Sequence, residues 1–318
     1  MKTVFLFGGQ GSQLPGMALD IRKEFPQTEE LFQTAFEINP GFEQILVSKS
    51  EEINQTKYTQ PAIALFGAAV TQVLRENGIE ADAAIGSSIG EYPALAALDV
   101  WSLADMLQIA SARGKLMTER LIKRRAEGFE DGMHAVLGLD EATIAPLVEK
   151  FDQLWITNIN DAKQVVISGE VGQLAEIEPE LKAAGARRIV PLAVEGAFHT
   201  PIFGEEQADL LQIIEQYSIN IPQKQFYFNR NGKSLLNLAD SPAEHKADVQ
   251  LWMSEQMISP VGFYECGEKL FADQAEPYDL AIEISAKSVM AGMLRKKIKN
   301  IETVQINNAQ QLKEFLHR

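Results

Sequence analysis

Gly86, Ser88 and Gly90 stand at alternate positions in Ala83-Ala-Ile-Gly-Ser-Ser-Ile-Gly-Glu91, between a short apolar run and a segment rich in Ala and Leu. Gly-x-Ser-x-Gly between a strand and a helix is the pattern of a nucleophile elbow, a sharp turn that lifts a serine hydroxyl clear of the backbone. Glycines suit the flanks because a Cβ would clash in so tight a turn. Ser88 holds the central position and is the candidate nucleophile. The competing reading is an ordinary strand–helix turn.

A serine nucleophile needs a base, and histidine titrates nearest neutrality. The chain has four histidines. His317 is penultimate, His245 lies in a polar stretch where solvation is the default, and His134 opens a strand-like segment. His199 lies in Glu195-Gly-Ala-Phe-His-Thr-Pro-Ile202, where two differently patterned parts of the chain join. Junctions of this kind favour clefts, so His199 is the candidate base, with a structural histidine as the alternative. Acyl transfer also requires donors for a developing oxyanion. The backbone N–H of Ile89, directly after the nucleophile, is one candidate. The turn Gly8-Gly-Gln-Gly-Ser-Gln13 offers Gln10 as the other. That turn lacks the ending of a P-loop and the spacing of a dinucleotide fingerprint, so nucleotide binding is not expected.

These residues need a scaffold, and the first part of the chain supplies strand–turn–helix repetition. A buried strand is expected at 4–7, a helix at 14–23, further helical spacing through Phe36, and a helix opening at Gln60-Pro61. A strand at 83–85 leads into the elbow, with helices at 93–98 and 103–121. This is the pattern of an α/β domain with a mainly parallel sheet. From about Gly128 the order becomes strand (134–138), helix (141–151), strands (155–157, 164–168), helix (172–184) and strand (188–194). That is the order of a ferredoxin-like unit. The large-domain pattern resumes with a helix at 202–217, a strand at 226–228, helices at 248–257 and 260–271, a strand at 280–284 and a final long helix at 290–298. The polar stretch 237–247 is expected to be a surface loop. The expected organisation is an α/β hydrolase-like large domain (1–127 and 198–318) with an inserted ferredoxin-like small domain (128–197).

Composition limits the remaining options. With 318 residues, 46% hydrophobic and 23% charged, the chain can bury a substantial core. A net charge of −15 argues against a nucleic-acid surface. Basic clusters at 120–125 and 295–299 are expected to be solvated helix faces or helix ends, with an anion-attracting rim as the lesser alternative. The single cysteine, Cys266, excludes an internal disulfide framework and a multi-cysteine metal site, and no metal is expected. The apolar run 4–7 is too short for a signal peptide, and no stretch approaches a membrane span. A soluble, cytoplasmic monomer is expected.

Several motifs in fixed order carry a family resemblance: Phe7-Gly-Gly-Gln-Gly-Ser-Gln13, the elbow, Ala112-Arg-Gly-Lys-Leu-Met117, Gly132-Met-His-Ala-Val-Leu-Gly-Leu139, Gln164-Val-Val-Ile-Ser-Gly169, Ala183-Ala-Gly-Ala186 and Gly196-Ala-Phe-His-Thr200. Together they resemble the malonyl-CoA:acyl carrier protein transacylases and the acyltransferase domains of polyketide synthases, across nearly the whole chain. The resemblance implies that Ser88 is acylated by malonyl-CoA and that His199 serves as base and then acid. It also implies transfer to the phosphopantetheine thiol of an acyl carrier protein in a ping-pong scheme. A backbone carbonyl at Gln256 would orient His199, Arg113 would grip the malonyl carboxylate, and Asn158 and Asn160 would approach the coenzyme. Coenzyme A enters as part of a substrate, and no cofactor is implied. Because carrier proteins are acidic, the two basic clusters become candidate docking rims. The form Ala197-Phe198 before His199 is associated with malonyl rather than branched extenders.

The chain departs from that family at three places. Ser87 stands where the family has His, Gly8 where it has Pro, and Glu283-Ile-Ser-Ala-Lys287 replaces a Gly-Pro-Gly turn. Competing readings are a carrier-protein thioester hydrolase of the same fold, which would not need Arg113, and a non-catalytic carrier-binding module. A general serine esterase would place an acid between nucleophile and histidine. The elbow register selects Ser88 over its neighbour. Ser88→Ala should abolish acylation by a thioester, read by intact mass, while Ser87→Ala leaves it largely intact; the reverse pattern means the register is wrong.

Overall fold

The computed structural model describes residues 1–236, 241–272 and 277–318. Among these, eight strands form two sheets: β1 (Thr3–Phe7), β2 (Ala83–Gly86), β3 (Asp131–Leu137), β4 (Leu154–Asp161), β5 (Gln164–Glu170), β6 (Arg188–Pro191), β7 (Leu280–Ile284) and β8 (Glu302–Ile306). The first sheet has the order β2-β1-β7-β8, and every pairing in it is parallel. β1 is buried along its whole length, which explains why Thr-Val-Phe-Leu-Phe is an unbroken run rather than an alternation. The next strand, β2, joins β1 on one side and β7 joins it on the other. The loops leaving β1 and β2 therefore open a crevice at their carboxyl ends, where open α/β sheets place ligands.

The helix Thr56–Glu76 runs through the core and packs chiefly on the helix Leu103–Ala126. Its start lies one turn before the expected opening at Gln60-Pro61. The carboxylate of Glu195 accepts from the Thr56 backbone N–H and satisfies an end that Pro61 was expected to form. The short helix Glu91–Ala97 follows the elbow and is wholly buried, which suits its Ala-rich sequence.

The second sheet is antiparallel, in the order β4-β5-β3-β6. The helices Glu141–Val148 and Val171–Ala183 cover one face, through Ile144, Val148, Leu174, Ile177 and Leu181 against Val136, Val165 and Ile167. From the opposite face Met133, Ala135 and Val166 join the main core. The period-2 alternation of β3 and β5 is what allows one sheet to serve two cores.

Several expected elements take another form. Residues 226–228 make only isolated bridges, Ala83 with Gln225 and Tyr227 with Ser234, so no strand forms there. The first helix begins at Leu19 rather than at 14, and 202–217 divides into a 3-10 turn, Pro201–Phe203, and the helix Gly204–Ile214. The expected loop 237–247 is partly helix, because Pro242–Glu255 is helical with Ser241 capping it; 237–240 lie outside the described residues. His245 consequently sits on a helix. The expected long helix 290–298 is the short helix Met290–Leu294, and it is followed by β8 and the helix Ala309–Leu316.

The elbow itself depends on close approach. A Cβ at Gly86 would lie 2.1 Å from the Gly90 carbonyl oxygen. Gly86→Ala is expected to cost about 2–3 kcal/mol of unfolding free energy by overpacking, measured by urea denaturation. A cost within about 0.5 kcal/mol, the range of ordinary surface changes, contradicts that tight packing.

Candidate active site

Both candidate reacting residues sit on strained backbone. Ser88 has φ 53° and His199 has φ 62°, in the left-handed region that non-glycine residues seldom occupy. Such strain persists only where the surroundings impose it. At the elbow, Gly90 presses on the Phe7 carbonyl oxygen, 2.6 Å from where its Cβ would stand, and Gly9 presses equally closely on Ser87. The loops leaving β1 and β2 are thus locked together, and the Ser88 hydroxyl emerges between them.

Ser88 Oγ lies 2.7 Å from His199 Nε2. On the other side of the ring, Nδ1 lies 2.8 Å from the Gln256 carbonyl oxygen. A carbonyl can only accept, so Nδ1 carries the proton and Nε2 is left free to accept from the serine. His199 is 5% exposed. Burial, reinforced by the nearby Arg113 charge, pushes its pKa down to about 3, so the ring is neutral at neutral pH.

Arg113, on the helix Leu103–Ala126, is 1% exposed. Its Nη2 donates to Gln256 Oε1 at 2.9 Å, its guanidinium lies over the Tyr92 ring, and its Nε has no partner among the described residues. Burial lowers its pKa, while Tyr92 and Glu91 oppose that shift. The Gln256 amide nitrogen donates to the Ser88 carbonyl at 2.8 Å and to Glu91 Oε2. Glu91 is fully enclosed, and burial pushes its pKa up to about 8 against the pull of its hydrogen bonds and of Arg113. Both of its oxygens face N–H donors, the second being the Asn229 backbone at 2.7 Å. The Asn229 side chain in turn accepts from the Ser88 backbone N–H at 3.0 Å.

A cavity of about 340 Å³ joins these groups. Ser88, His199 and Arg113 line it with Gln10, Ser87 and Gln60, and Met117, Met133, Val166 and Phe198 supply apolar wall. Asn158 and Asn160, on β4, line it as well, and the Asn158 Oδ1 has no partner among the described residues. Of the two expected oxyanion donors, Gln10 lines the cavity, whereas Ile89 is wholly buried and is not among the lining residues. Gln256 holds the site from behind and does not line the cavity. Among the described residues no three His, Cys, Asp or Glu side chains gather to hold a metal ion.

Both basic clusters make ion pairs within the chain. Arg120 and Lys123 pair with Glu205, Arg124 makes a two-pronged bond to Asp131 at 2.7 Å, and Arg125 donates to the Glu195 carbonyl. These residues are engaged in pairs within the chain, while Lys123 and Arg125 stay exposed. Arg295 and Lys296, the latter 3.5 Å from Asp161, border a recess that continues from the cavity past Asn160, Gln164, Val289 and Met293. The residues missed by sequence reasoning are Asn229 and the role of Glu91. Glu91 had a signal, as an acidic residue entering an apolar helix; Asn229 had none.

The arrangement can transfer an acyl group through a serine ester and can hold an anion beside it. The family model of the acyl transferase domain matches residues 4–313. A malonyl CoA-acyl carrier protein transacylase of Bacillus subtilis is 30% identical over 314 residues, covering 96% of this chain and 94% of its own. The crystal structure of the corresponding protein from Clostridium perfringens superposes with a TM-score of 0.85 at 27% identity, covering 100% of this chain and 96% of its own. A type II PKS acyl-carrier protein in complex with its malonyl-transacylase gives 0.85 at 26% identity, with 100% and 99% covered. With the family model spanning almost its entire length, the chain belongs to the acyl transferase domain family.

Proposed function

We propose that this protein moves a malonyl group from coenzyme A to the phosphopantetheine thiol of an acyl carrier protein, in fatty acid or polyketide synthesis. The observation that carries this reading is Arg113, a buried guanidinium facing the same cavity as the Ser88–His199 pair. A buried charge without a carboxylate directly against it is costly, and a ligand carboxylate would relieve that cost through paired hydrogen bonds. A neutral acyl group has no such use for it. The names of the relatives point to the same substrates.

In the proposed first half-reaction, Ser88 Oγ attacks the thioester carbon as its proton passes to His199 Nε2. The oxyanion would be held by the backbone N–H groups of Gln10 and Ile89. The C–S bond then breaks, and the coenzyme thiolate takes the proton back from His199. The second half-reaction reverses these steps with the carrier thiol as nucleophile, which is ping-pong transfer. Gln256 orients the ring through its carbonyl, in place of a triad carboxylate. Asn158 and Asn160 would steady the coenzyme or the pantetheine arm. Arg295 and Lys296 form the rim that would receive an acidic carrier. No cofactor enters the scheme, and the coenzyme A thioester is a substrate.

The antiparallel unit is read as a ferredoxin-like insertion at 128–197 between the two parts of the large domain, 1–127 and 198–318. Its strand–helix–strand–strand–helix–strand order and edge-to-edge sequence support that reading. We read the protein as a cytoplasmic monomer without nucleic-acid or membrane partners; no helix among the described residues is long and apolar enough to cross a membrane.

Incubation with malonyl-CoA should add a malonyl mass that is absent in Ser88→Ala and passes to a phosphopantetheinylated carrier. Arg113→Ala should lower malonyl kcat/KM at least a hundredfold while sparing acetyl transfer. Equal acetyl and malonyl labelling followed by hydrolysis favours the hydrolase, and carrier binding with no adduct favours a non-catalytic module. The depressed pKa of His199 has a further consequence. The base is neutral above its folded pKa of about 3, so activity is lost only as pH falls through that low value. Acylation kcat/KM should stay nearly constant from about pH 7 to pH 5, through the ordinary histidine pKa of about 6.5. A tenfold fall over that interval would overturn the assignment.

A further inference from the structure

Gln60 lies on the helix Thr56–Glu76, is 1% exposed, and lines the cavity with Ser88, His199 and Arg113. A carboxamide can make up to four hydrogen bonds, two as donor and two as acceptor. Its nitrogen has a single contact of this kind, 3.2 Å to the Met117 sulfur, and a thioether is a weak acceptor. Its oxygen has no partner among the described residues. Buried polar groups are nearly always satisfied, and an unsatisfied one calls for a cause.

The neighbours do not supply one. Gln60 reaches across to the helix Leu103–Ala126, where its Cβ packs against Gly114, one residue from Arg113, and its amide meets Met117 one turn further on. The close approach at Gly114, where a Cβ would lie 3.2 Å from that of Gln60, packs Gln60 against the helix that carries Arg113, and both residues line the same cavity. Arg113 itself has one nitrogen committed to Gln256 and its Nε unpaired. Two polar groups with unpaired atoms therefore line the same cavity, which Met117, Met133, Val166 and Phe198 also line.

We propose that the Gln60 carboxamide is a second grip on the acyl carboxylate, and with Arg113 sets the preference for carboxylated acyl groups. This rests on the malonyl reading above. Rotation of the terminal amide by half a turn exchanges its ends, placing the oxygen toward Met117 and the N–H groups toward the cavity. The nitrogen then donates to a carboxylate oxygen, a charge-assisted bond stronger than any contact it now has. The acceptor it gives up is only a sulfur, so the exchange sacrifices little. An acyl group ending in methyl cannot accept that bond and leaves the amide unpaired, so the residue discriminates by the cost of an unmade hydrogen bond.

The test compares acylation of Ser88 by malonyl-CoA and by acetyl-CoA, read by intact mass in a rapid-quench series. Gln60→Met keeps the length and removes the amide. It should lower kcat/KM for malonyl-CoA about tenfold or more, the size of a lost hydrogen bond to a charged group, and leave acetyl-CoA within about twofold. Gln60→Glu sets one carboxylate against another and should lower the malonyl value further than Gln60→Met does, with acetyl again spared. Parallel losses for both thioesters, or no loss for either, overturn the inference. Should Gln60→Met fail to fold, Gln60→Asn retains the amide, shortens its reach, and should show the same selective malonyl loss. If the unmodified protein takes up no malonyl group at all, the malonyl reading itself fails. If it does and the variants keep its malonyl-to-acetyl ratio, only the role of Gln60 fails.

Discussion

The site depends on one residue, Gln256, more than on either reacting group. Its backbone carbonyl fixes the His199 tautomer, its side-chain oxygen accepts from Arg113, and its amide nitrogen donates to the Ser88 carbonyl and to Glu91. The carboxamide cannot turn over without presenting N–H to the guanidinium and oxygen to the Glu91 carboxyl, so its neighbours specify its orientation. That fixed amide also lets two ionisable groups share the interior. Burial lowers the pKa of Arg113 and raises that of Glu91, and the attraction between them opposes both shifts. Neither group is left without hydrogen bonds, which is the condition under which buried charge is tolerated.

The same network explains how two strained residues persist. Ser88 and His199 both hold positive φ, in parts of the chain far apart in sequence. Around Ser88 the Asn229 side chain binds the backbone N–H, and Gln256 binds the carbonyl. Around His199 the Gln256 carbonyl holds the ring, while the Thr200 hydroxyl donates to the Ala197 carbonyl and stiffens the turn. A backbone conformation costing about 1–3 kcal/mol per residue is thus held by several bonds at once. The serine–histidine distance then follows from the parallel pairing of β1 with β2 and from the packing of the Gln256 turn, rather than from the flexibility of either side chain.

Much of this was legible in the sequence, and what was not shares a physical cause. The elbow could be read because its chemistry lies within five residues and demands glycine at two of them. His199 could be read because only four histidines compete and one falls at a change of pattern. The antiparallel unit announced itself through alternation and well-placed turns. In contrast, the Gln256 side chain takes its meaning from Arg113 and Glu91, 143 and 165 residues away. The ion pairs of the Arg120–Arg125 cluster could not be read because its partners Glu205, Asp131 and Glu195 lie on other parts of the chain. Phe226-Tyr-Phe228 has strong strand propensity, but these aromatic rings serve the core beside β2 through single bridges. β8 escaped notice because a short, half-exposed edge strand carries only a faint alternation.

Two of the departures from the family pattern meet in space. A Cβ built at Gly8 would lie 2.4 Å from Ser285 Oγ and 2.8 Å from Ser12 Oγ. A proline ring at position 8 would therefore require these two hydroxyls to turn away, which places the first-loop substitution in contact with the rebuilt turn after β7. That turn is anchored by Glu283, whose buried carboxylate accepts from the backbone N–H groups of Val289, Met290 and Ala291. Glu283 thereby holds the short helix that presents Val289, Met290 and Met293 to the cavity. The altered turn thus acts on the apolar lining of the cavity. The third departure, Ser87, lines the cavity beside the Gly9 loop. The buried hydrogen bonds that Gln256 makes behind Ser88, to Arg113, the Ser88 carbonyl and Glu91, involve none of the three positions.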